Sequence, residues 1–265
     1  MIRIVLAILM ITGVAAKADT MRLAATTSFN NSGLSDALLP AFKVDTGINV
    51  QLLVVGTGQA IRLGQAGDVD AILVHSKAAE EAFVSADFGT HRREIMYNDF
   101  VLIGPSADPS RIKDAESAIE VLQLIAATEM TFVSRGDDSG THKKELMLWS
   151  AAKLYPDFFG AWYKAVGAGM GASLNSASGL DAYIMADRAS WLNFGNKGGL
   201  ELLYSGDPML FNQYAYIPVN SDKHVHVKSE AAQRLEQWLL SARAKNIINN
   251  YKINGEALFI FNGAP

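Results

Sequence analysis

Cysteine is absent from all 265 residues. No disulfide framework is available, thiolate metal ligation is impossible, and no lipid anchor can be attached through a cysteine. A chain of this length can hold itself together by its core alone, because it buries a large share of its unfolded surface. Long apolar runs are also missing. The one sustained run, Ile4 to Ile11, falls far short of the ~20 residues that a membrane-spanning helix needs. Positive charge is not in excess either: 23 Lys and Arg face 27 Asp and Glu, for a net charge of −4. Such a balance argues against a nucleic-acid or anionic-membrane partner. Neither G-x-S-x-G nor H-E-x-x-H occurs, and no glycine-rich loop ends in Gly-Lys-Ser/Thr, so the common hydrolase and nucleotide motifs are lacking. Internal repeats, low-complexity tracts and Pro/Gly/Ser-rich linkers are lacking as well.

The first residues read as a secretory leader. Arg3 supplies the charged start, Ile4 to Ile11 the apolar stretch, and Ala16-Lys17-Ala18 a small-x-small cleavage site. The mature chain is expected to begin at Asp19 with 247 residues and a charge of −6. It is expected to be free and soluble in a bacterial periplasm. Any anion site in so acidic a chain must work by local donors, because the overall field repels the ligand.

Strand-like and helix-like stretches alternate. Arg22–Thr27, Ile48–Val55, Ala71–Val74 and Ile95–Ile103 predict strands; Leu34–Asp45, Gln59–Leu63 and Lys77–Ala86 predict helices between them. A helix near Ala115–Ala127, a strand at Met130–Val133 and a helix at His142–Leu154 continue the theme. An aromatic helical stretch at Phe158–Val166 and a glycine-rich loop at Gly167–Gly171 follow. The chain ends with a strand at Phe211–Val219 and a helical region from Ser229 to Asn250. Alternation of this kind predicts an α/β fold with largely parallel sheets. Apolar strands near Tyr97–Ile103 and Tyr214–Val219 are placed to carry the chain between two lobes, 19–101 with 216–265 and 102–215.

Three strand-to-helix turns are rich in small polar residues: Thr26-Thr27-Ser28, Gly56-Thr57-Gly58-Gln59 and Ser134 to Thr141. In α/β sheets, ligands gather at the carboxyl ends of strands, where such turns sit. The first N–H groups of a helix have no intrahelical partner, and the helix dipole is positive there. Small residues admit an anion, hydroxyls add donors, and Arg135 adds a charged planar fork. One such turn is an ordinary helix cap; three together point to a shared oxyanion pocket.

Other features of these segments have plain readings. Gly56-Thr57-Gly58-Gln59-Ala60-Ile61 half-matches a dinucleotide fingerprint, but Ile61 stands where the third glycine belongs. Asp137 and Asp138 serve as caps or orient the guanidinium; alternatively they accept a proton from phosphate, or act with His142 in an exported ester hydrolase. His224-Val225-His226 predicts a polar surface strand with both imidazoles on one face. Trp149, Phe158, Phe159, Trp162 and Tyr163 read as core packing rather than a sugar platform.

Several segments resemble the tungstate-binding proteins of bacterial ABC importers (the TupA type). They are Thr26-Thr27-Ser28, Asn31-Ser32-Gly33-Leu34, Val55 to Ala60, Met96-Tyr97-Asn98-Asp99-Phe100, Ser134 to Glu145, Gly169 to Asn175, Asp187-Arg188 and Gly206-Asp207-Pro208. The resemblance runs through nearly the whole mature chain in the same order. It implies a two-lobed periplasmic binding protein of type II, each lobe a mixed sheet flanked by helices, with tungstate or molybdate in the cleft. It implies ligand contacts from Thr26, Thr27, Ser28, Thr57, Gly58, Arg135, Ser139, Gly140 and Thr141, with the Gly171–Asn175 loop and Arg188 as further lining. Ala25 stands where members often carry one more threonine. No cofactor, no directly ligated metal and no catalysis are implied. The partner would be a membrane permease, met by a monomeric receptor. On charge and shape alone, phosphate remains open beside tungstate, and tungstate is preferred to molybdate through the resemblance only.

Overall fold

The computed structural model describes residues 19–137 and 139–264. The expected leader, residues 1–18, and Asp138 lie outside the described residues. The chain opens with β1 (Thr20–Thr26), α1 (Thr27–Asn31), α2 (Leu34–Thr46), β2 (Asn49–Val55), α3 (Thr57–Ala66), β3 (Ala71–Val74) and α4 (Lys77–Ser85). The long strand β4 (Arg93–Pro105) leads into α5 (Ala118–Thr128), β5 (Phe132–Ser134) and α6 (Gly140–Ala151). Then come β6 (Tyr163–Ala165), α7 (Met170–Leu180), β7 (Tyr183–Asp187), α8 (Arg188–Asn193) and β8 (Leu200–Tyr204). The chain returns through β9 (Phe211–Pro218), α9 (Ser229–Leu239) and α10 (Ala242–Asn250) to three two-residue strands: β10 (Lys252–Ile253), β11 (Glu256–Ala257) and β12 (Ile260–Phe261).

The main sheet has the order β2-β1-β3-β9-β4-β7-β5-β6, with β8 and β12 also pairing β4. Helical crossovers make β1 parallel to β2 and β3, and β5 parallel to β6 and β7. In the centre the pairing is antiparallel. Residues Arg93 to Asp99 of β4 pair β9, whereas Phe100 to Ile103 pair β7. A single strand therefore serves both halves of the sheet, and its partner changes between Asp99 and Phe100.

Each half has its own core. Met21, Leu23, Phe42, Tyr216, Leu235 and Ile248 pack on one face of the first half, and Ile72, Val74, Phe83 and Ile217 on the other. Beyond the switch, alternate residues of β4 go to opposite faces, as a strand requires. Phe100 and Leu102 join Ile125, Phe132 and Trp149, while Val101 and Ile103 join Val133, Leu174 and Ile184.

Four sequence expectations are corrected. The stretch 158–166 is not a helix: a short 3-10 turn, Pro156–Phe158, leads to β6, whose residues pair in parallel with β5. Trp149 is fully buried, with Phe132 and Phe159 edge-on at 5.3 and 5.0 Å, but Phe158 is 87 % exposed and belongs to no core. The helical region after Ser229 is two helices, divided at Ser241, whose hydroxyl caps α10 by accepting from Ala244 N–H. His224 and His226 lie in a turn rather than a strand; their Nε2 atoms meet the carbonyls of Gln65 and Gly67 at 3.0 and 2.9 Å, at the end of α3.

Candidate functional site

Five strands end at a common place in the middle of the sheet, and each is followed by a helix whose first turn faces a cavity of about 540 Å³. Thr26, Thr27 and Ser28 come from the junction of β1 and α1, Gly56 and Thr57 from that of β2 and α3. The second half contributes Arg135, Ser139, Gly140 and Thr141 after β5, Gly169, Met170 and Gly171 after β6, and Asp187 and Ser190 after β7. Of the nine residues expected to bind, eight line this one cavity. Gly58 is the exception: it is exposed on the first turn of α3, outside the cavity wall, and the side chain beside it is Arg62.

Local sequence explains why these helix ends offer donors. Ser139 and Asp187 cap their own helices, accepting from His142 N–H at 3.2 Å and Ser190 N–H at 2.9 Å. Thr26, Gly56 and Gly169 make no side-chain cap bond to α1, α3 and α7. Glycine has no side chain to supply, so the first N–H groups of α3 and α7 have no side-chain cap acceptor. Unpaired N–H groups at a helix start, with the positive end of the dipole behind them, are suited to an anion.

Arg135 brings the full positive charge. Its Nε and Nη2 donate to Asp137 Oδ2 at 3.1 and 2.5 Å, which fixes the guanidinium with one edge taken. Asp137 Oδ1 also accepts from Ser139 N–H at 3.2 Å. Burial works against ionisation of Asp137, but the bonds from Ser139 and Arg135 prevail and hold its carboxyl below the usual range. The turn between them needs Gly136: its φ of 59° is left-handed, and a Cβ there would lie 2.9 Å from that of Ala165. Asp137 itself does not line the cavity, and neither does His142.

Behind the first turn lies a hydroxyl network. Ser28 Oγ sits 3.1 Å from Thr26 Oγ1, 3.1 Å from His75 Nε2 and 2.8 Å from the buried Tyr214 hydroxyl. Burial pushes His75 down to about 4, against the opposing effect of its hydrogen bonds, so the imidazole is neutral at physiological pH. Glu145 of α6 supports the third turn from below. It is 3 % exposed and accepts from Tyr163 Oη at 2.7 Å and Trp149 Nε1 at 3.2 Å. Burial raises it to about 7, only partly offset by those donors.

The further lining expected from the sequence is only partly found. Gly171 lines the cavity, but residues 171–175 belong to α7 rather than to a loop. Ser173 is buried and bonds to the carbonyls of Ala168 and Gly169, while Asn175 bonds back to the carbonyl of Gly171. Arg188 does not line the cavity: its Nε and Nη2 donate to the two oxygens of Asp99 at 2.7 and 2.6 Å.

His75, Gly169 and Asp187 are wall residues that the sequence reading passed over. Their signal was present. Each directly follows or ends a strand or precedes a helix, as the three recognised turns do; His75 and Asp187 sit in no run of Ser, Thr and Gly, and the glycines around Gly169 were read as a loop rather than as a helix start.

Among the described residues no group of His, Asp and Glu is arranged to hold a metal ion. A cavity lined by hydroxyls, helix starts and one arginine has the donor chemistry to receive an anion.

Comparison with known proteins agrees with this fold. The model of the PBP superfamily domain matches residues 13–243. The tungstate-binding protein TupA of Peptoclostridium acidaminophilum is 46% identical over 246 residues, which are 91% of this chain and 85% of that protein. The solved tungstate-binding protein TupA of Desulfovibrio alaskensis superposes with a TM-score of 0.88 at 43% identity, covering 93% of this chain and all of that one. A solved tungstate ABC transporter protein of Geobacter sulfurreducens gives 0.79 at 42% identity, over 88% and 98% of the two chains. With uncapped helix ends around one arginine and relatives this near over nearly the full length, the chain belongs to the TupA family of tungstate-binding proteins, within the PBP superfamily.

Proposed function

We propose that this chain is the substrate-binding component of an ABC importer, which captures tungstate in the periplasm and delivers it to a membrane permease. It does so as a monomer after removal of residues 1–18, with no chemistry of its own. The two lobes comprise 19–101 with 216–265 and 102–215, and the anion is held between them. The observation that carries this reading is the convergence of five helix starts, three of them without a side-chain cap, on a cavity whose positive charge is Arg135. The contacts proposed are hydroxyls of Thr26, Thr27, Ser28 and Thr57, the first turn of α6 at Ser139, Gly140 and Thr141, and the free edge of Arg135.

Protonation separates the anions. Tungstate and molybdate are fully deprotonated near neutral pH and need donors only. Phosphate carries a proton and benefits from an acceptor. Asp137 is occupied by Arg135 and Ser139. Asp187 does line the cavity, with Oδ1 engaged by Ser190, and this carboxylate keeps phosphate as the second reading. A hydrolase built on Asp137 and His142 has no support, because neither reaches the cavity wall.

Elemental mass spectrometry of the purified protein, followed by thermal denaturation with added anions, tests the assignment. Binding to the folded state raises stability by RT ln(1 + [L]/Kd), so shifts at equal concentration rank affinities. Tungsten should be retained near one per chain, with tungstate shifting the melting point most, molybdate next, and sulfate and phosphate little. A larger shift with phosphate than with tungstate would overturn the assignment.

A further inference from the structure

A second cavity, of about 700 Å³, lies behind the first, between α4, α6, β4 and β9. Among the described residues, only His75 and Gly140 line both. They form the partition, and they come from opposite halves of the sheet. His75 follows β3, and Gly140 opens α6. A Cβ built on Gly140 would lie 2.6 Å from Cε1 of His75 and 3.3 Å from its Nδ1. Gly140 has no positive φ, so glycine is required here by the contact and not by the backbone.

The ring is held by two neighbours. Its Nε2 is 3.1 Å from Ser28 Oγ, and its face lies tilted against Tyr214 with centroids 4.9 Å apart. Tyr214 is fully buried in β9, and its hydroxyl is 2.8 Å from the same Ser28 Oγ. Ser28 in front and Tyr214 behind fix the imidazole, and the first turn of α6 rests on what they fix.

We propose that His75 is a positioning residue that sets the width of the anion site: the stop on which the first turn of α6 closes, fixing the span between the Thr27–Ser28 donors and the Gly140–Thr141 donors. The inference rests on the anion-receptor reading above and adds to it a residue that holds the two donor sets in register.

Titration calorimetry on parent, His75→Ala, Gly140→Ala and the double variant tests it, with circular dichroism as folding control. Gly140→Ala should weaken tungstate binding about tenfold or more in the parent, the scale of coupling between residues in contact. In the His75→Ala background the same change should add little, because the group it strikes is gone. Equal losses in the two backgrounds would overturn the proposal, as would an unaffected Gly140→Ala. Should Gly140→Ala fail to fold, His75→Ala alone decides: folded by circular dichroism, it should bind tungstate about tenfold or more weakly, and an affinity equal to the parent's rejects the role. A parent that binds no tungstate at all would instead sink the receptor reading.

Discussion

Arg135 shows how one side chain gains its role from its neighbours. In solution a guanidinium is a mobile cation on a flexible stem. Here Gly136 turns the chain back, Asp137 takes Nε and Nη2, and the arginine so held lines the cavity. The pair with Asp137 means that removing the arginine does more than delete a charge. It also leaves a carboxylate near the anion without its partner. Truncating one member of a buried, hydrogen-bonded charge pair costs on the order of 2–5 kcal/mol. Arg135→Ala should therefore weaken tungstate binding about 30-fold or more, since each ~1.4 kcal/mol is tenfold. Arg135→Lys should recover part of this, because a point charge lacks the planar fork. Calorimetry on both variants measures the loss, and a folded Arg135→Ala that binds like the parent would remove Arg135 from the site. Arg135, Thr26, Thr57 and Thr141 were legible in the sequence because clustered small polar residues between a strand and a helix have few uses. His75 was not, since a lone histidine after a strand has many, and only the fold sets it against Gly140.

At the scale of elements, the alternation of strand and helix was readable wherever apolar spacing was regular, as in β1, α2, β3 and α4. It failed where tertiary contacts override local pattern. Tyr163-Lys164-Ala165 is a strand because β5 offers it a parallel partner, although the aromatic spacing around it resembles a helix. The glycines of 167–171 suggested a loop, yet Gly169 is the cap of α7. The junction of α6 and β6 also carries a titrating group. Glu145 ties α6 to β6 through Tyr163, and burial raises its folded value to about 7 from 4.5. The folded state thus holds this proton more tightly than the unfolded chain does. The resulting stabilisation is full below about 4.5 and is lost as pH rises towards 7. Unfolding free energies from urea titration of the parent should fall between about pH 5 and about pH 7.5, relative to Glu145→Gln, by an amount on the order of 1–3 kcal/mol. Parallel curves for the two proteins would show that Glu145 does not titrate in this range.

For the whole molecule, the decisive relation is between the size of the cavity and the way its walls are joined. A space of about 540 Å³ is far larger than one tetrahedral anion. Its donors sit on two halves with separate cores, and β4 is shared between them, changing partner at Asp99 and Phe100. The change of partner is braced from the side, where Arg188 at the start of α8 forks onto Asp99. A dianion entering an acidic protein is held by replacing its hydration with protein donors, and donors on one side alone leave the other hemisphere to water. Closure of the proposed lobes would complete the shell, with α8 riding on the first half, whose core holds its Ala189 and Leu192. Binding should therefore compact the proposed two-lobed receptor. X-ray scattering with and without saturating tungstate should show a smaller radius of gyration with ligand, and the change should be absent in Arg135→Ala at the same concentration. A radius that stays the same when calorimetry reports full occupancy would mean that the site is rigid and preformed, and that the lobes do not move on the anion.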